Sequence, residues 1–282
     1  MKYNILDHEQ VLSMLPERKA DAHKGNFGKI LLLCGSRGYT GAAALAAMGA
    51  LRSGAGLVYL GVPESIYVIE ATKLTEPIVF SLPDQGGKLA KEASGLILEM
   101  LPRMDAVLIG PGLGQSAGTM AVVEWVLKTA ACPVVVDADG INLLSGHKDI
   151  LRGRTAPTVL TPHMGEFYRI GGNASTDRQL AAEALAKSLN AVIVLKGHAT
   201  VITDGMTSYV NPTGNPGMAV GGSGDVLAGI ITSFIGQGIQ PLEAAACGAW
   251  LHGAAGDLCA QNIGQYGMLP TDMLEELPRL MK

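Results

Sequence analysis

The chain has 282 residues, with 21 Lys plus Arg against 25 Asp plus Glu for a formal net charge of −4. Hydrophobic residues make up 48% and charged residues only 16%, which excludes a disordered chain and supports a large dry core. The acidic balance excludes the basic footprint of a non-specific nucleic-acid binder.

The N-terminus, Met1-Lys2-Tyr3-Asn4-Ile5-Leu6-Asp7, carries charge and lacks the continuous apolar run of a signal peptide. Short β-branched or leucine-rich runs follow, predicting strands at residues 30–34, 57–60, 106–109, 134–137, 158–160 and 192–195. Most are apolar without alternation, as strands covered on both faces should be. Between them the patterns predict helices at 41–52 after a Thr40 cap, at 117–129, and at 177–189 after a Thr176 cap. This β-α-β-α rhythm predicts an α/β fold, a mostly parallel doubly wound sheet flanked by helices on both faces. After Lys196 the rhythm changes to a hairpin, 200–203 and 208–210, turning on Asp204-Gly205. A Gly/Pro-rich loop, 211–224, then leads into helices predicted at 225–235 and 241–260. No repeat, low-complexity tail or linker interrupts the chain, so residues 1–282 read as one domain. Residues 226–242, the longest late uncharged stretch, are too polar and too short for a membrane span. Cys34, Cys132, Cys247 and Cys259 form no CxxC pair and read as buried free thiols in a reducing, cytoplasmic compartment.

The strongest chemical signal is Pro216-Gly217-Met218-Ala219-Val220-Gly221-Gly222-Ser223-Gly224-Asp225 at the start of a helix. Glycines before a helix let backbone N–H groups converge on one anion, and the helix dipole adds to that field. Asp225, in the first turn, is placed to take a proton from a hydroxyl attacking a transferring phosphoryl group. Its bland alternative is a helix cap behind a glycine hinge. No Lys-Ser/Thr follows the glycines, so this is not a Walker A loop, and no strand directly precedes them, so it is not a Rossmann fingerprint. Other strand ends carry polar groups where open α/β sheets bind ligands. They are Gly110-Pro111-Gly112-Leu113-Gly114, Asp137-Ala138-Asp139-Gly140, Thr161-Pro162-His163-Met164-Gly165-Glu166 and Lys196-Gly197-His198-Ala199-Thr200. His163 and Glu166, three apart, share one face of a helical turn. The Asp137 and Asp139 carboxylates suit either a magnesium hydration shell or the cap of the next helix. Lys196 with Thr200 suits either a nucleotide or a strand exit in solvent.

In this order, together with His23-Lys24-Gly25-Asn26-Phe27-Gly28-Lys29 and Arg37-Gly38-Tyr39-Thr40-Gly41-Ala42-Ala43, these segments resemble the ADP/ATP-dependent NAD(P)H-hydrate dehydratases of the ribokinase-like superfamily. The likeness covers nearly the whole chain, and Thr161-Pro162-His163 is its most specific part, since vitamin kinases tend to have Asn at the His. It implies dehydration of the S-epimer of hydrated NADH or NADPH at the expense of ADP, giving AMP and phosphate, or of ATP. By resemblance Ala42, Gly112, His163 and Asp225 face the hydrated dinucleotide, and Asp225 is the catalytic base. Lys196, Gly197, His198, Ala199, Thr200, Gly222, Ser223 and Gly224 hold the adenine nucleotide. Glu166 and Asp137 stand near magnesium by superfamily analogy. The resemblance also implies a homo-oligomer, with tetramers known in the family and Ala-rich helices suited to subunit contacts. Some relatives carry an N-terminal epimerase domain; this sequence begins in the dehydratase part, so the expectation is repair of one epimer only. The rival expectations are a vitamin-precursor kinase using the same anion hole and base, and a nucleotide sensor without turnover. Asp225 beside an intact glycine turn speaks against the sensor.

Overall fold

In a computed structural model, which describes residues 3–173 and 177–282, the chain forms a nine-stranded sheet with helices on both faces. In chain order the strands are β1 (Lys29–Leu33), β2 (Leu57–Pro63), β3 (Ile78–Leu82), the small separate hairpin β4 (Asp84–Gln85) and β5 (Lys88–Leu89), and β6 (Ala106–Ile109). They continue with β7 (Val134–Val136), β8 (Thr158–Leu160), β9 (Val192–Leu195), β10 (Val201–Thr203) and β11 (Ser208–Val210). The order across the main sheet is β11-β10-β9-β8-β7-β6-β1-β2-β3. From β9 to β3 all neighbours are parallel; β10 runs antiparallel to both β9 and β11. The direction of winding reverses between β1 and β6, which makes that gap the topological switch point.

Two apolar cores explain the non-alternating strands. Ile30 and Leu32 of β1 face one core, and Leu31 and Leu33 face the other. The first core contains helices Thr40–Arg52, Ser223–Gly236 and Pro241–Asn262, and the second contains helices Ala93–Met100, Ala117–Thr129 and Arg178–Leu189. Small residues let the first group approach backbone to backbone. A Cβ on Gly229 would stand 2.1 Å from the Ala46 carbonyl oxygen, and one on Gly49 would stand 2.5 Å from that of Val226. The alanines expected at subunit contacts are therefore used within the chain: Ala43, Ala46, Ala47 and Ala50 are fully buried against helix Ser223–Gly236.

The structure corrects several local expectations. Thr40 does not cap its helix: Tyr39 is the N-cap without a side-chain bond, and Thr40 Oγ1 accepts from Lys73 Nζ at 2.7 Å. Thr176 lies outside the described residues; the helix Arg178–Leu189 is capped by Asp177, whose carboxylate accepts from Gln179 and Leu180 N–H groups. Strand β3 and helices Glu64–Lys73 and Ala93–Met100 were not expected. Glu64–Lys73 is rich in β-branched residues, and of its residues only Ile66 and Glu70 are buried, so neither its propensity nor its pattern marks a helix. Strand β3 is an edge strand with one buried residue, Leu82. Among the described residues no helix is long and apolar enough to cross a membrane, and Cys34, Cys247 and Cys259 are buried free thiols with Cys132 half-buried.

Candidate active site

The carboxyl ends of β1, β6, β7, β8 and β9 lead directly into the glycine, Asp137, Thr161 and Lys196 segments picked out by their chemistry. At the switch point two chain turns are tied together. Gly35 N–H donates to the Pro111 carbonyl at 2.8 Å, and Ser36 Oγ donates to that of Gly112 at 2.7 Å. Gly112 has φ +62°, and a Cβ there would stand 2.8 Å from that of Ala42, so only glycine permits this close seam. Asp139 caps nothing: its Oδ2 accepts from Gly114 N–H at 2.8 Å and its Oδ1 from Gln115 at 3.2 Å, holding the Gly110–Gly114 loop. Asp137 caps nothing by its side chain either, because the N-cap there is Ala138 with no side-chain bond.

Asp137 belongs instead to a charged centre. Lys196 Nζ donates to Asp137 Oδ1 at 2.7 Å and lies 4.0 Å from Glu166 Oε2, and Thr161 Oγ1 donates to the same Asp137 oxygen at 2.7 Å. Lys196 is thus no strand exit in solvent. Burial opposes its charge, but Asp137 first and then Glu166 outweigh that and raise its pKa. Asp225 stands in the first turn of helix Ser223–Gly236, and the cap is Gly222 at φ +98° with no side-chain bond. The helix-cap reading of Asp225 therefore fails. Burial, then the Asp137 charge, push its carboxyl up to about 7 against the pull of Lys196, with Glu166 adding to the rise. A carboxyl poised near neutrality is what general base catalysis asks for.

Beside this centre opens a cavity of about 940 Å³. Lys196, Gly197, His198, Ala199, Thr200, Ser223, Gly224 and His163 all line it. Ala42, Gly112, Asp137, Glu166, Gly222 and Asp225 are not among its lining residues: the first two form the seam at the switch point, and Asp225 follows directly on Gly224. A Cβ on Gly224 would stand 3.2 Å from Lys196 Nζ and 3.9 Å from Asp137 Oδ2, which sets the helix N-terminus against the charged pair. Arg178 braces the 196–198 segment, donating to the carbonyls of His198 at 2.6 Å and of Leu195 and Lys196 at 3.2 Å.

Sequence reasoning missed one wall of the cavity, residues 211–215 with His252. That loop is fastened to helix Pro241–Asn262. Asn211 Nδ2 donates to the Ala249 carbonyl at 3.0 Å, Thr213 Oγ1 to that of Trp250 at 2.8 Å, and Asp257 accepts from Gly214 N–H at 2.9 Å and Asn215 Nδ2 at 3.0 Å. The Asn-Pro-Thr-Gly-Asn-Pro run was the available signal, but it reads equally as an ordinary loop.

Gly224→Val tests the anion end of the cavity. Gly224 is helical rather than left-handed, so the damage comes from crowding and not from a strained backbone: valine's branches push into Lys196 and the space in front of the first turn. Nucleotide affinity is expected to fall on the order of tenfold, for an overpacking cost of ~1–3 kcal/mol, and turnover with it. Calorimetric titration with ADP measures this; wild-type affinity would place the anion site elsewhere.

His163 is both structural and exposed to the cavity. Its Nδ1 accepts from Gly165 and Glu166 N–H groups at 2.9 and 3.3 Å, capping helix Met164–Arg169, while Glu166 Oε2 accepts from His163 N–H at 2.9 Å to complete a capping box. With Nδ1 accepting, Nε2 carries the hydrogen and faces Glu166 Oε1 at 3.2 Å, which leaves the ring face for a ligand. His163→Asn keeps a good cap and removes the ring. Should the ring contact the dinucleotide, the KM for the hydrate is expected to rise about three- to tenfold, as for a lost aromatic contact, with nucleotide KM unchanged. An unchanged hydrate KM in steady-state assays would leave His163 only its capping role.

Among the described residues no group of three or more His, Cys, Asp or Glu side chains converges as a metal cage. Magnesium is commonly held by one or two carboxylates plus waters and substrate phosphates rather than by a protein cage. Asp137 and Glu166 supply such a pair, with Lys196 Nζ 2.7 Å from the first and 4.0 Å from the second. That hard-oxygen, acid-rich donor set fits the ion.

Known proteins of one family resemble this chain. A family model described as NAD(P)H-hydrate dehydratase matches residues 30–279. A bifunctional NAD(P)H-hydrate repair enzyme of Moorella thermoacetica is 46% identical over 277 residues, covering 96% of this chain and 52% of the relative. The chain thus spans about half the length of the first curated relatives it matches. An ADP-dependent (S)-NAD(P)H-hydrate dehydratase of Bacillus subtilis is 38% identical over 280 residues, covering 97% of this chain and 96% of the relative. A crystal structure of an ADP/ATP-dependent NAD(P)H-hydrate dehydratase from Bacillus subtilis, co-crystallised with ATP and Mg2+, superposes with a TM-score of 0.84 at 34% identity, covering 99% of this chain and 98% of that one.

Proposed function

The chain belongs to the NAD(P)H-hydrate dehydratase family, of ribokinase-like fold, and from that premise we propose that it repairs hydrated NADH and NADPH at the expense of ADP or ATP. The observation that carries the reading is the charged centre: a carboxyl poised near pH 7, Asp225, in the first turn of an uncapped helix whose Ser223 and Gly224 line the large cavity. The nucleotide lies in that cavity between the 196–200 segment and the 211–216 loop, with its terminal phosphate at the N-terminus of helix Ser223–Gly236. The hydrated ring lies toward Ala42, Gly112 and His163. Hydroxide is a poor leaving group, so the C6 hydroxyl is first made into a better one. Asp225 takes the hydroxyl proton as its oxygen attacks the terminal phosphorus, and the bond from phosphorus to the nucleotide's bridging oxygen breaks. Free N–H groups of the first helical turn stabilise charge on the phosphoryl in transfer. Phosphate then departs from C6, pushed by the ring nitrogen lone pair, and loss of the C5 proton restores the dihydronicotinamide. Asp137 and Glu166 are the residues that would hold Mg2+, which neutralises phosphate charge when bound.

The test is incubation of the purified chain with separated hydrate epimers, Mg2+ and ADP or ATP, following the return of reduced-nicotinamide absorbance. Repair of the S-epimer with one phosphate released per turnover is expected. A phosphorylated product that persists without recovered absorbance would instead make the protein a kinase.

The same proposal includes a homo-oligomer and a cytoplasmic site of action. Tyr67, Val68 and Ile69 are exposed on helix Glu64–Lys73, which packs beside edge strand β3 with its exposed Ile78, and such a face suits a second copy. Sedimentation of the wild type against Val68→Lys tests the assembly.

A further inference from the structure

Ser223 opens the helix that faces the cavity, and its Oγ stands 3.4 Å from Nε2 of His252, a residue the mechanism above does not use. His252 comes from a different element, helix Pro241–Asn262, and both side chains line the cavity beside Gly224 and Lys196. Both residues are buried. Gly253, the next residue, is pressed against Thr213 of the fastened loop, so the backbone that carries His252 is closely packed.

A neutral imidazole has one N–H and one acceptor nitrogen. Burial, reinforced by the Lys196 ammonium, brings the His252 pKa down to about 4, so the ring is neutral at physiological pH. The Ser223 backbone acts the other way and favours a proton on the ring, the weaker effect of the two. In the tautomer with Nε2–H, Ser223 Oγ accepts from the ring at 3.4 Å. Its own hydroxyl hydrogen is then left to point into the cavity, where a phosphoryl oxygen needs a donor.

We propose that His252 is a positioning residue: it holds Ser223 Oγ as a side-chain donor to the phosphoryl group in transfer, alongside the N–H groups of the first helical turn. This rests on the reading that the terminal phosphate sits at that helix N-terminus. No proton leaves or reaches His252 in the reaction; it fixes the direction in which the serine hydroxyl donates.

The test is a double-mutant cycle on the full chain, with kcat for hydrate repair, ADP affinity by titration, and the thermal melt measured for each variant. Ser223→Ala and His252→Ala are each expected to lower kcat about tenfold, as for one lost hydrogen bond to a charged group. The double variant is expected to lose no more than the worse single one, because the two residues act as a unit. His252→Gln, whose amide reaches the Nε2 position, is expected to recover most of the lost rate, and the shorter His252→Asn is not. Multiplicative losses in the double variant would overturn the proposal, as would a lowered melt at wild-type kcat. Should His252→Ala fail to fold, the Gln and Asn variants carry the comparison, and equal kcat in those two would overturn it. A wild type without hydrate repair would overturn the functional reading and this inference together, whereas additive losses in an active wild type sink this inference alone.

Discussion

Asp225→Asn is expected to lower kcat at least about a hundredfold while ADP affinity stays within a few-fold of wild type. The substitution keeps side-chain volume and removes the proton acceptor, and general base catalysis typically supplies ~10²–10⁴-fold. Because the lost interaction is made on the way to the transition state, the drop falls on kcat rather than on nucleotide binding. The charged surroundings add a pH signature. In the folded protein the Asp225 carboxyl sits at about 7, so the free enzyme's kcat/KM is expected to fall as pH drops through about 7, where the base becomes protonated. Stability moves oppositely. Between the ordinary carboxylate range and about 7 the folded chain holds a proton that the unfolded chain has released, so this group's contribution to stability falls as pH rises through that window. Asn carries no such penalty. At pH 8 the variant is therefore expected to be more stable than wild type, on the order of 2–4 kcal/mol, with the difference vanishing near pH 4. Near-wild-type turnover in Asp225→Asn would sink the mechanism. A variant melting below wild type at pH 8 would contradict the electrostatic account of the site.

Lys196→Met is expected to cost both stability and nucleotide binding. Lys196 is the cation paired with buried Asp137 at 2.7 Å and facing Glu166 at 4.0 Å, with Asp225 close enough to feel all three. Methionine preserves much of the apolar stem but leaves these carboxylates facing one another uncompensated. Breaking a buried pair from one side typically costs ~3–5 kcal/mol. At roughly 2–4 °C per kcal/mol for a domain of this size, the melt is expected to fall on the order of 10 °C at pH 8. The loss is expected to shrink at pH 5, where a carboxyl such as Asp225 protonates and sheds its charge. ADP binding is expected to weaken strongly, since the ammonium lining the phosphate end is gone. Calorimetric melts at the two pH values, with ADP titration at pH 8, measure this. An unchanged melt at pH 8 would mean the carboxylates are compensated by something other than Lys196.

Much of this was legible in the sequence because it depends on local chemistry. The strands at 106–109, 158–160 and 192–195 are observed at the expected bounds, since short apolar runs covered on both faces carry no competing pattern, and 208–210 because the Asp204-Gly205 turn fixes its hairpin. The residues at 110–114, 137–140, 161–166 and 196–200 stood out because each segment follows a strand end, and Gly221–Asp225 because its glycines open a helix. The glycines before the last-but-one long helix were readable as an anion-binding turn, and the left-handed Gly222 is what the structure adds.

What only the tertiary structure decided concerns pairings between distant segments. The helix 223–236 begins two residues before the expected start with Gly222 as its cap, which removes the capping alternative for Asp225. Asp137 and Asp139 look equivalent in sequence, yet one turns inward to Lys196 and the other holds the Gly110–Gly114 loop. Such a choice depends on which strand neighbours which, and adjacency in a parallel sheet is set by crossovers rather than by spacing along the chain. The 211–215 wall and His252 were invisible for the same reason: their polar groups find partners about 30–40 residues away, across helix Pro241–Asn262. By itself the sequence determined the fold class, the family and the residues capable of the chemistry, because composition, turn glycines and strand ends are local properties. The raised Asp225 carboxyl, the Lys196 ion pairs and the contact between His252 and Ser223 needed the folded chain, because burial and charge act through space.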